Sequence, residues 1–214
     1  MVPASSSGII PAWRGGRGVS AEVQLSIAEV QLSKALSDVL RHNARKRGVE
    51  IRPDGFCLVS DILRLSQFQR LRCTIADVEI VVRLNNKQRF ELWEEAPGIV
   101  WIRALQGHSM DCIDDEELGL EKLDPASGVV TCYHGTPWRN LRSIRRSGLI
   151  AGGIAGGKRN HVHFSQKVEP WQRECILECD LRRAIEAGLE FFRSRNGVIL
   201  TRGPVPAEYL RDTA

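Results

Sequence analysis

A chain of 214 residues, 43% apolar and carrying a net charge of +4, suits one large domain or two small ones with a packed core. It holds no apolar run near 18 residues and does not open on a charged segment followed by an apolar stretch, so neither a spanning helix nor a secretory leader is expected. The charge is uneven: 13 basic and 9 acidic side chains over residues 31–110, 1 and 7 over 111–130, and 14 and 8 over 131–214. Two basic segments around an acidic one favour a polyanionic partner such as nucleic acid, although a solvated surface explains them equally well.

Residues 1–20 are rich in Ser, Gly, Pro and Arg without an apolar period, and a disordered tail is expected over 1–27. AEVQLS occurs at 21–26 and again at 28–33, a duplication able to lengthen the following helix. That helix is predicted over 31–47, with Leu32, Ala35, Leu36, Val39 and Leu40 on one stripe, Arg41 pointing away from it and Gly48 as its stop. Pro53-Asp54-Gly55 marks a turn before the apolar run Phe56–Val59. Short helices are predicted over 60–66 and 74–85, the second opened by the Thr74/Asp77 cap. A hairpin follows, 88–93 and 99–104 around Pro97-Gly98. Helix, strand, two helices and hairpin resemble a winged-helix module, assigned to 28–110. The acidic stretch 111–127 reads as a linker.

Residues 128–214 are expected to form a small mixed sheet. Strand candidates are 128–135, 161–165, 174–181, 189–192 and 197–201. A helix is placed over 137–147 with Pro137 at its first position and Gly148 past its end, and a short helix over 182–188 behind Asp180.

The six cysteines, Cys57, Cys73, Cys112, Cys132, Cys175 and Cys179, have no framework spacing and read as reduced thiols of an intracellular protein. The five histidines fall in compact polar motifs: Arg41-His42, Gln106-Gly107-His108-Ser109, His134-Gly135-Thr136 and His161-Val162-His163. Metal binding is disfavoured, because His161-x-His163 and the Cys175/Cys179 spacing come without a C-x₂-C pair or an H-E-x-x-H. A Cys132/His134 nucleophile is disfavoured too, since nothing marks an activated thiolate. Phosphate chemistry fits better: Arg41, Arg103 and Arg159 each lie near a motif histidine, and arginine forks bind phosphate oxygens in pairs. The Gly-rich stretch 151–159 could bring backbone close to a ligand, but it matches neither a Walker A sequence nor G-x-G-x-x-G after a strand. For Arg41 and His42 the plainer reading is pairing with Asp38 three and four residues back.

Together the motifs resemble the RNA 2′-phosphotransferase family. The matching pieces run in family order: LSKALSDVLRH (32–42), DGF (54–56), NKQRF (86–90), IRALQGHS (102–109), YHGT (133–136), SGL (147–149), RNHVHFS (159–165) and FFRSRNGVILTRG (191–203). The resemblance implies an α+β protein with an N-terminal winged-helix lobe, a C-terminal ADP-ribosyltransferase-like mixed β lobe over 128–214, and a cleft between them. It also implies the reaction. An RNA 2′-phosphate attacks the ribose C1″ of NAD⁺ and expels nicotinamide; the 2″-hydroxyl then attacks phosphorus. RNA leaves with a free 2′-OH, beside ADP-ribose 1″,2″-cyclic phosphate.

The family's catalytic quartet maps onto Arg41, His42, Arg103 and Arg159. By the same resemblance His134, Gly135, Thr136, Ser143, His161 and His163 would hold NAD⁺ as co-substrate, and no metal is implied. Lys87, Gln88, Arg89, Gln106 and His108 would border a 2′-phosphorylated RNA, a spliced tRNA in eukaryotes. A monomer in cytoplasm or nucleus is expected. The chain departs from the family in carrying Leu105 where Asn is usual, and in crossing 165–181 without the longer insert and its Gly-Met-Arg-like patch; Arg173 is the arginine that segment offers. Three alternatives share these residues: ADP-ribosylation of terminal nucleic-acid phosphates, a non-catalytic NAD- or RNA-binding relic, and a winged-helix adaptor acting through 31–110 alone.

Overall fold

The structure, a computed structural model, describes residues 25–152, 159–168 and 174–213. Most of the expected tail, residues 153–158 of the Gly-rich stretch, and Arg173 lie outside them. The chain divides into two units, residues 1–105 and 106–214.

In the first unit, helix α1 (Ile27–Asp38) starts at a capping box: the Ser26 hydroxyl accepts from the Glu29 N–H and the Glu29 carboxylate accepts from the Ser26 N–H. The second AEVQLS copy lies inside α1, which therefore begins before residue 31. After Asp38 the helix widens into a π turn (Val39–Asn43), tightens into a 3₁₀ turn (Arg45–Arg47), and stops at Gly48 with φ +74°. Strand β1 (Cys57–Leu58) and helices α2 (Val59–Leu63), α3 (Ser66–Arg70) and α4 (Ile75–Leu84) follow. The Thr74/Asp77 capping box opens α4 as its sequence predicts.

Strands β2 (Phe90–Ala96) and β3 (Ile99–Ala104) form the hairpin, and β1 adds to β3, so the antiparallel order is β1-β3-β2. Glu91 stands opposite Arg103 and Trp93 opposite Trp101, with a bulge between Glu94 and Ala96. Leu36, Leu40, Ile62, Phe68, Val78, Val81 and Ile102 are all buried, the helices and sheet sharing an apolar interior.

The second unit holds two antiparallel sheets where the sequence predicts one mixed sheet. β5 (Thr131–Thr136), β7 (Cys175–Asp180) and β10 (Leu210–Asp212) form one, in the order β10-β7-β5. β4 (Glu121–Lys122), β6 (Val162–Phe164), β8 (Phe192–Arg193) and β9 (Ile199–Thr201) form the other, in the order β4-β8-β9-β6. An antiparallel bridge between Tyr133 and Ser165 joins them. The reason lies in the crossover: after β5, helix α5 (Trp138–Ser147) delivers the chain to the other sheet instead of returning it parallel to β5. Pro137 caps α5 instead of filling its first turn, and Asp180 caps α6 (Leu181–Glu186) as expected. One core, with Leu141, Ile144, Phe164, Leu177, Phe191 and Ile199 among its members, lies under both sheets; Leu123, from the acidic stretch, belongs to it.

Gly148 ends α5 at φ +73°, ψ −173°, a conformation open almost only to glycine. A Cβ there would stand 2.2 Å from the Val205 carbonyl oxygen, against the bridge in which Leu149 and Val205 exchange N–H···O bonds of 2.9 and 2.8 Å. Gly188 has φ +92° but open space around its missing Cβ. Urea denaturation should therefore show Gly148→Ala losing about 3 kcal/mol or more, and Gly188→Ala only about 1–2 kcal/mol. Equal losses would show that the contact with Val205 carries no weight.

Candidate functional site

The first unit presents Arg41, His42, Arg103 and the 87–89 segment. A regular α-helix would leave Arg41 on the polar face; the π turn changes the rotation per residue, and Arg41 is buried at 9% relative exposure while His42 is half-buried. Asp38, the partner in the plainer reading of both, accepts from Asn43 Nδ2 at 2.8 Å and from Arg47 Nη2 at 2.6 Å. The π turn packs against β3, the strand that carries Arg103.

Arg103 is buried at 4% and held from three sides. Its Nε donates to Glu91 Oε2 across the hairpin at 2.7 Å, its Nη1 donates to the Asp54 carbonyl at 2.9 Å, and its guanidinium lies 4.6 Å from the Phe56 ring centroid. The DGF turn thus serves as a seat for the arginine. Leu105, where the family usually has Asn, is buried, and its N–H donates to the Arg89 carbonyl at 3.0 Å.

Lys87 and Gln88 are exposed, and Gln88 takes φ +42°, a left-handed position rare outside glycine. Buried Asn85 fixes this turn. Its Oδ1 accepts from the Arg89 N–H and Nη1 at 3.4 and 3.2 Å, while its Nδ2 donates to Ser33 of α1 at 3.4 Å. Burial pushes the Arg89 pKa below its usual value.

In the second unit, β5 and β6 bring three histidines together. His134 Nδ1 donates to the His163 carbonyl at 2.9 Å, and the ring stands edge-on to Phe164. Burial lowers the His134 pKa more than this bond raises it, so the ring is neutral near pH 7, with the Nδ1 proton committed and Nε2 an acceptor. His163 Nδ1 donates to the His161 carbonyl at 3.0 Å. His161 is buried, and its Nε2 meets Asp115 Oδ2 at 3.1 Å, an oxygen that also accepts from Arg202 Nε at 2.9 Å.

Thr136 is buried, and its Oγ1 accepts from Asn140 at 3.2 Å; Ser143 Oγ donates to the Asn140 carbonyl at 2.7 Å. Gly135 sits between His134 and Thr136 at the half-buried end of β5. Gln106 is half-buried and His108 buried, the latter's carbonyl accepting the Asn160 N–H at 2.8 Å while Asn160 Nδ2 donates to the Met110 carbonyl at 2.9 Å. Asn160 thereby anchors the backbone beside Arg159, which is exposed.

The first unit therefore gathers Arg41, His42 and Arg103 around β3 and the π turn, and the second gathers His134, His161 and His163, with Arg159 in that same unit. Sequence reasoning missed the residues that hold these groups. Glu91 follows from the hairpin register, but Asp115, Arg202, Asn85 and Asn160 act over separations that no local pattern announces. Among the described residues, no group of three or more His, Cys, Asp or Glu side chains is arranged to hold a metal, and no helix is long and apolar enough to cross a membrane.

An arginine fixed in orientation, as Arg103 is in the first unit, suits binding of phosphate oxygens, and the second unit separately holds its histidines by hydrogen bonds. Comparison with known proteins makes this specific. Residues 28–203 match the RNA 2′-phosphotransferase, Tpt1 / KptA family, and the chain belongs to that family. It is 40% identical over 185 residues to a mouse protein named tRNA 2′-phosphotransferase 1, covering 81% of this chain and 70% of that one. A protein of Pseudomonas syringae named probable RNA 2′-phosphotransferase is 35% identical over 191 residues, covering 86% and 94%. A fission yeast protein named putative tRNA 2′-phosphotransferase is 37% identical over 183 residues; the match covers 81% of this chain but spans only 47% of that longer relative.

Two measurements check the electrostatics. Burial raises the Asp115 pKa, yet hydrogen bonds and charge from His161 and Arg202 outweigh it and hold the carboxyl below its usual range. A carboxyl depressed in the folded state adds stability above its unfolded pKa of about 3.9 and loses it as pH falls through the folded value. Asp115→Asn should cost about 1–3 kcal/mol at pH 7 and flatten the loss of stability below about pH 4; an unchanged acid slope in urea melts would remove the carboxylate from this role. In a histidine NMR titration, His134 should reach its midpoint below the free-histidine value of about 6.5, and a midpoint above that value would contradict the buried neutral ring.

Proposed function

We propose that this protein removes the 2′-phosphate from RNA by transferring it to NAD⁺, releasing 2′-OH RNA, nicotinamide and ADP-ribose 1″,2″-cyclic phosphate. The match of residues 28–203 to the RNA 2′-phosphotransferase family carries the reading. The names of the mouse and fission yeast relatives support a tRNA substrate. The first unit, with its helices and a sheet ordered β1-β3-β2, is read as the winged-helix, RNA-facing lobe, and the second as the ADP-ribosyltransferase-like, NAD-facing lobe. All six cysteines are free thiols, which supports an intracellular setting, and a monomer is proposed.

In this proposal Arg41, Arg103 and Arg159 bind the oxygens of the transferring phosphate. Arg103 enters the reaction already oriented, because Glu91, the Asp54 carbonyl and Phe56 fix its plane. Groups held before the charge develops stabilise the transition state without reorganising, which is where enzymic electrostatics is strongest. His42, half-buried next to Arg41, holds or moves a proton at its ring nitrogen. NAD⁺ supplies the electrophilic ribose carbon and the neighbouring hydroxyl. The fit of that co-substrate rests on His134: with its Nδ1 proton given to the His163 carbonyl, Nε2 is free to accept a ribose hydroxyl. Gly135, Thr136, Ser143, His161 and His163 complete the proposed NAD side, and Lys87, Gln88, Arg89, Gln106 and His108 the RNA side.

Purified protein would be incubated with NAD⁺ and a short RNA bearing one internal 2′-phosphate, and products read by mass. The wild type should release nicotinamide and the cyclic phosphate, and Arg159→Ala should lower the rate by about 10²–10³-fold or stop with ADP-ribose on the RNA. ADP-ribosylated RNA as the wild type's final product would favour terminal-phosphate ADP-ribosylation. Binding of both substrates without turnover would mean that the short 165–181 crossing has disabled the site.

A further inference from the structure

Helix α5 carries a feature that the proposed chemistry does not use. Its sequence, Trp138-Arg-Asn-Leu-Arg-Ser-Ile-Arg-Arg-Ser147, holds four arginines in ten residues. At about 100° per residue, Arg139, Arg142, Arg145, Arg146 and Trp138 fall within one arc of about 120°, and Leu141 and Ile144 lie outside it. The burial agrees with that geometry: the four arginines and Trp138 are exposed, and Leu141 and Ile144 belong to the core.

Within the arc only Arg145 is ion-paired among the described residues, to Asp212. Arg139, Arg142 and Arg146 have no acidic partner among the described residues. Elsewhere on the second unit, Arg182 pairs with Glu186, Arg193 with Glu121 and Arg202 with Asp115, whereas α5 gathers three arginines without an acidic partner among the described residues on one face. Glu174, at the start of the helix, accepts from the Trp138 backbone N–H at 3.1 Å. Three unanswered guanidinium groups over two helical turns are a concentrated positive field, because each always carries its charge and neither salt-bridge partner nor pH removes it.

We propose that this face of α5 binds the phosphate backbone of the RNA substrate away from the nucleotide that reacts. The inference rests on the RNA 2′-phosphotransferase reading and adds a second contact surface to it. The seven residue steps from Arg139 to Arg146 rise about 10 Å along the helix, a length that meets about three consecutive phosphates of one strand. Arginine over lysine suits paired contacts to phosphate oxygens. Trp138, 49% exposed on the same arc, offers a ring on which an unpaired base can stack. Phosphate contacts of this kind are blind to sequence and set position, which is what an enzyme needs when it must hold a large RNA by its body while reading a single 2′-phosphate.

The test uses the full chain with Arg139→Gln, Arg142→Gln and Arg146→Gln combined, since glutamine preserves helix propensity. Two substrates carry the same 2′-phosphate, one a tRNA-length hairpin RNA and the other a trinucleotide. A control triple, Arg182→Gln, Arg183→Gln and Arg211→Gln, removes equal charge from exposed positions of the same unit outside α5. The α5 triple should raise KM for the long RNA about tenfold near 0.15 M salt and lower the slope of log binding against log salt by about 2. Its kcat, and its KM for the trinucleotide, should stay within about twofold of wild type. Four results overturn the proposal: no change with the long RNA, an equal rise in KM with both substrates, an equal effect of the control triple, or displacement of RNA by poly-glutamate at matched charge. If the wild type turns over neither substrate, the function reading fails, while fluorescence anisotropy of the long RNA across the salt series still decides whether α5 binds it.

Discussion

A guanidinium can be kept inside a small α+β unit only if its charge and its N–H groups are answered there, because an unpaired buried charge costs several kcal/mol. Arg103 is answered by a carboxylate, a carbonyl and an aromatic face. Each answer comes from a different part of the chain, and each depends on a correct fold. Glu91 reaches it only if β2 and β3 pair with Glu91 opposite Arg103, since a slip of one residue would send the carboxylate to the other face. The Asp54 carbonyl and Phe56 reach it only if the turn at Pro53-Asp54-Gly55 closes beside β1. The first unit is thus specified around one charged side chain as much as around its apolar core.

The second unit solves the same problem of fixed orientation with backbone. His134 is oriented by the carbonyl of His163, and His163 by the carbonyl of His161. Peptide groups in a paired strand scarcely move, so the rings inherit the rigidity of β5 and β6. His161 is held by a side chain, Asp115, which in turn accepts from Arg202. Asp115 comes from the acidic stretch before β4, Arg202 from just after β9, and their meeting ties the ends of the unit to its histidines. Sites held on strands keep their geometry more closely than sites held on loops.

Much of this was legible in the sequence, and the limits have physical causes. The Thr74/Asp77 cap, the stop at Gly48 and the hairpin around Pro97-Gly98 are local, set by residues a few positions apart, and they appear where expected. The burial of Arg41 was not legible, because a 3.6-residue period assumes a regular helix and Val39–Asn43 forms a π turn. The two antiparallel sheets were missed for a related reason. Strand propensity marks where strands lie but not which sheet each joins, and β4 and β10, two and three residues long, carry almost no periodic signal. The residues proposed to carry the chemistry could be named from their motifs; the partners Asp115, Arg202, Asn85 and Asn160 could not, since side-chain pairing across 46 or 52 positions leaves no trace in spacing.

If Arg103 binds the transferring phosphate as proposed, its clamp bears on catalysis. Glu91 takes the Nε position and offsets the positive charge, so the arginine attracts a resting 2′-phosphate less than an unpaired guanidinium would. What it keeps is direction. Binding that is equally strong in ground and transition states lowers KM without accelerating chemistry, whereas a donor whose orientation suits only the more highly charged transition state accelerates it. An arginine of moderate affinity and fixed plane is therefore better matched to the phosphoryl step than a free one. In the proposed reaction, affinity for the rest of the RNA comes from elsewhere, and the α5 arginines, which have no acidic partner among the described residues apart from Arg145, are proposed to supply it without distorting the reacting centre.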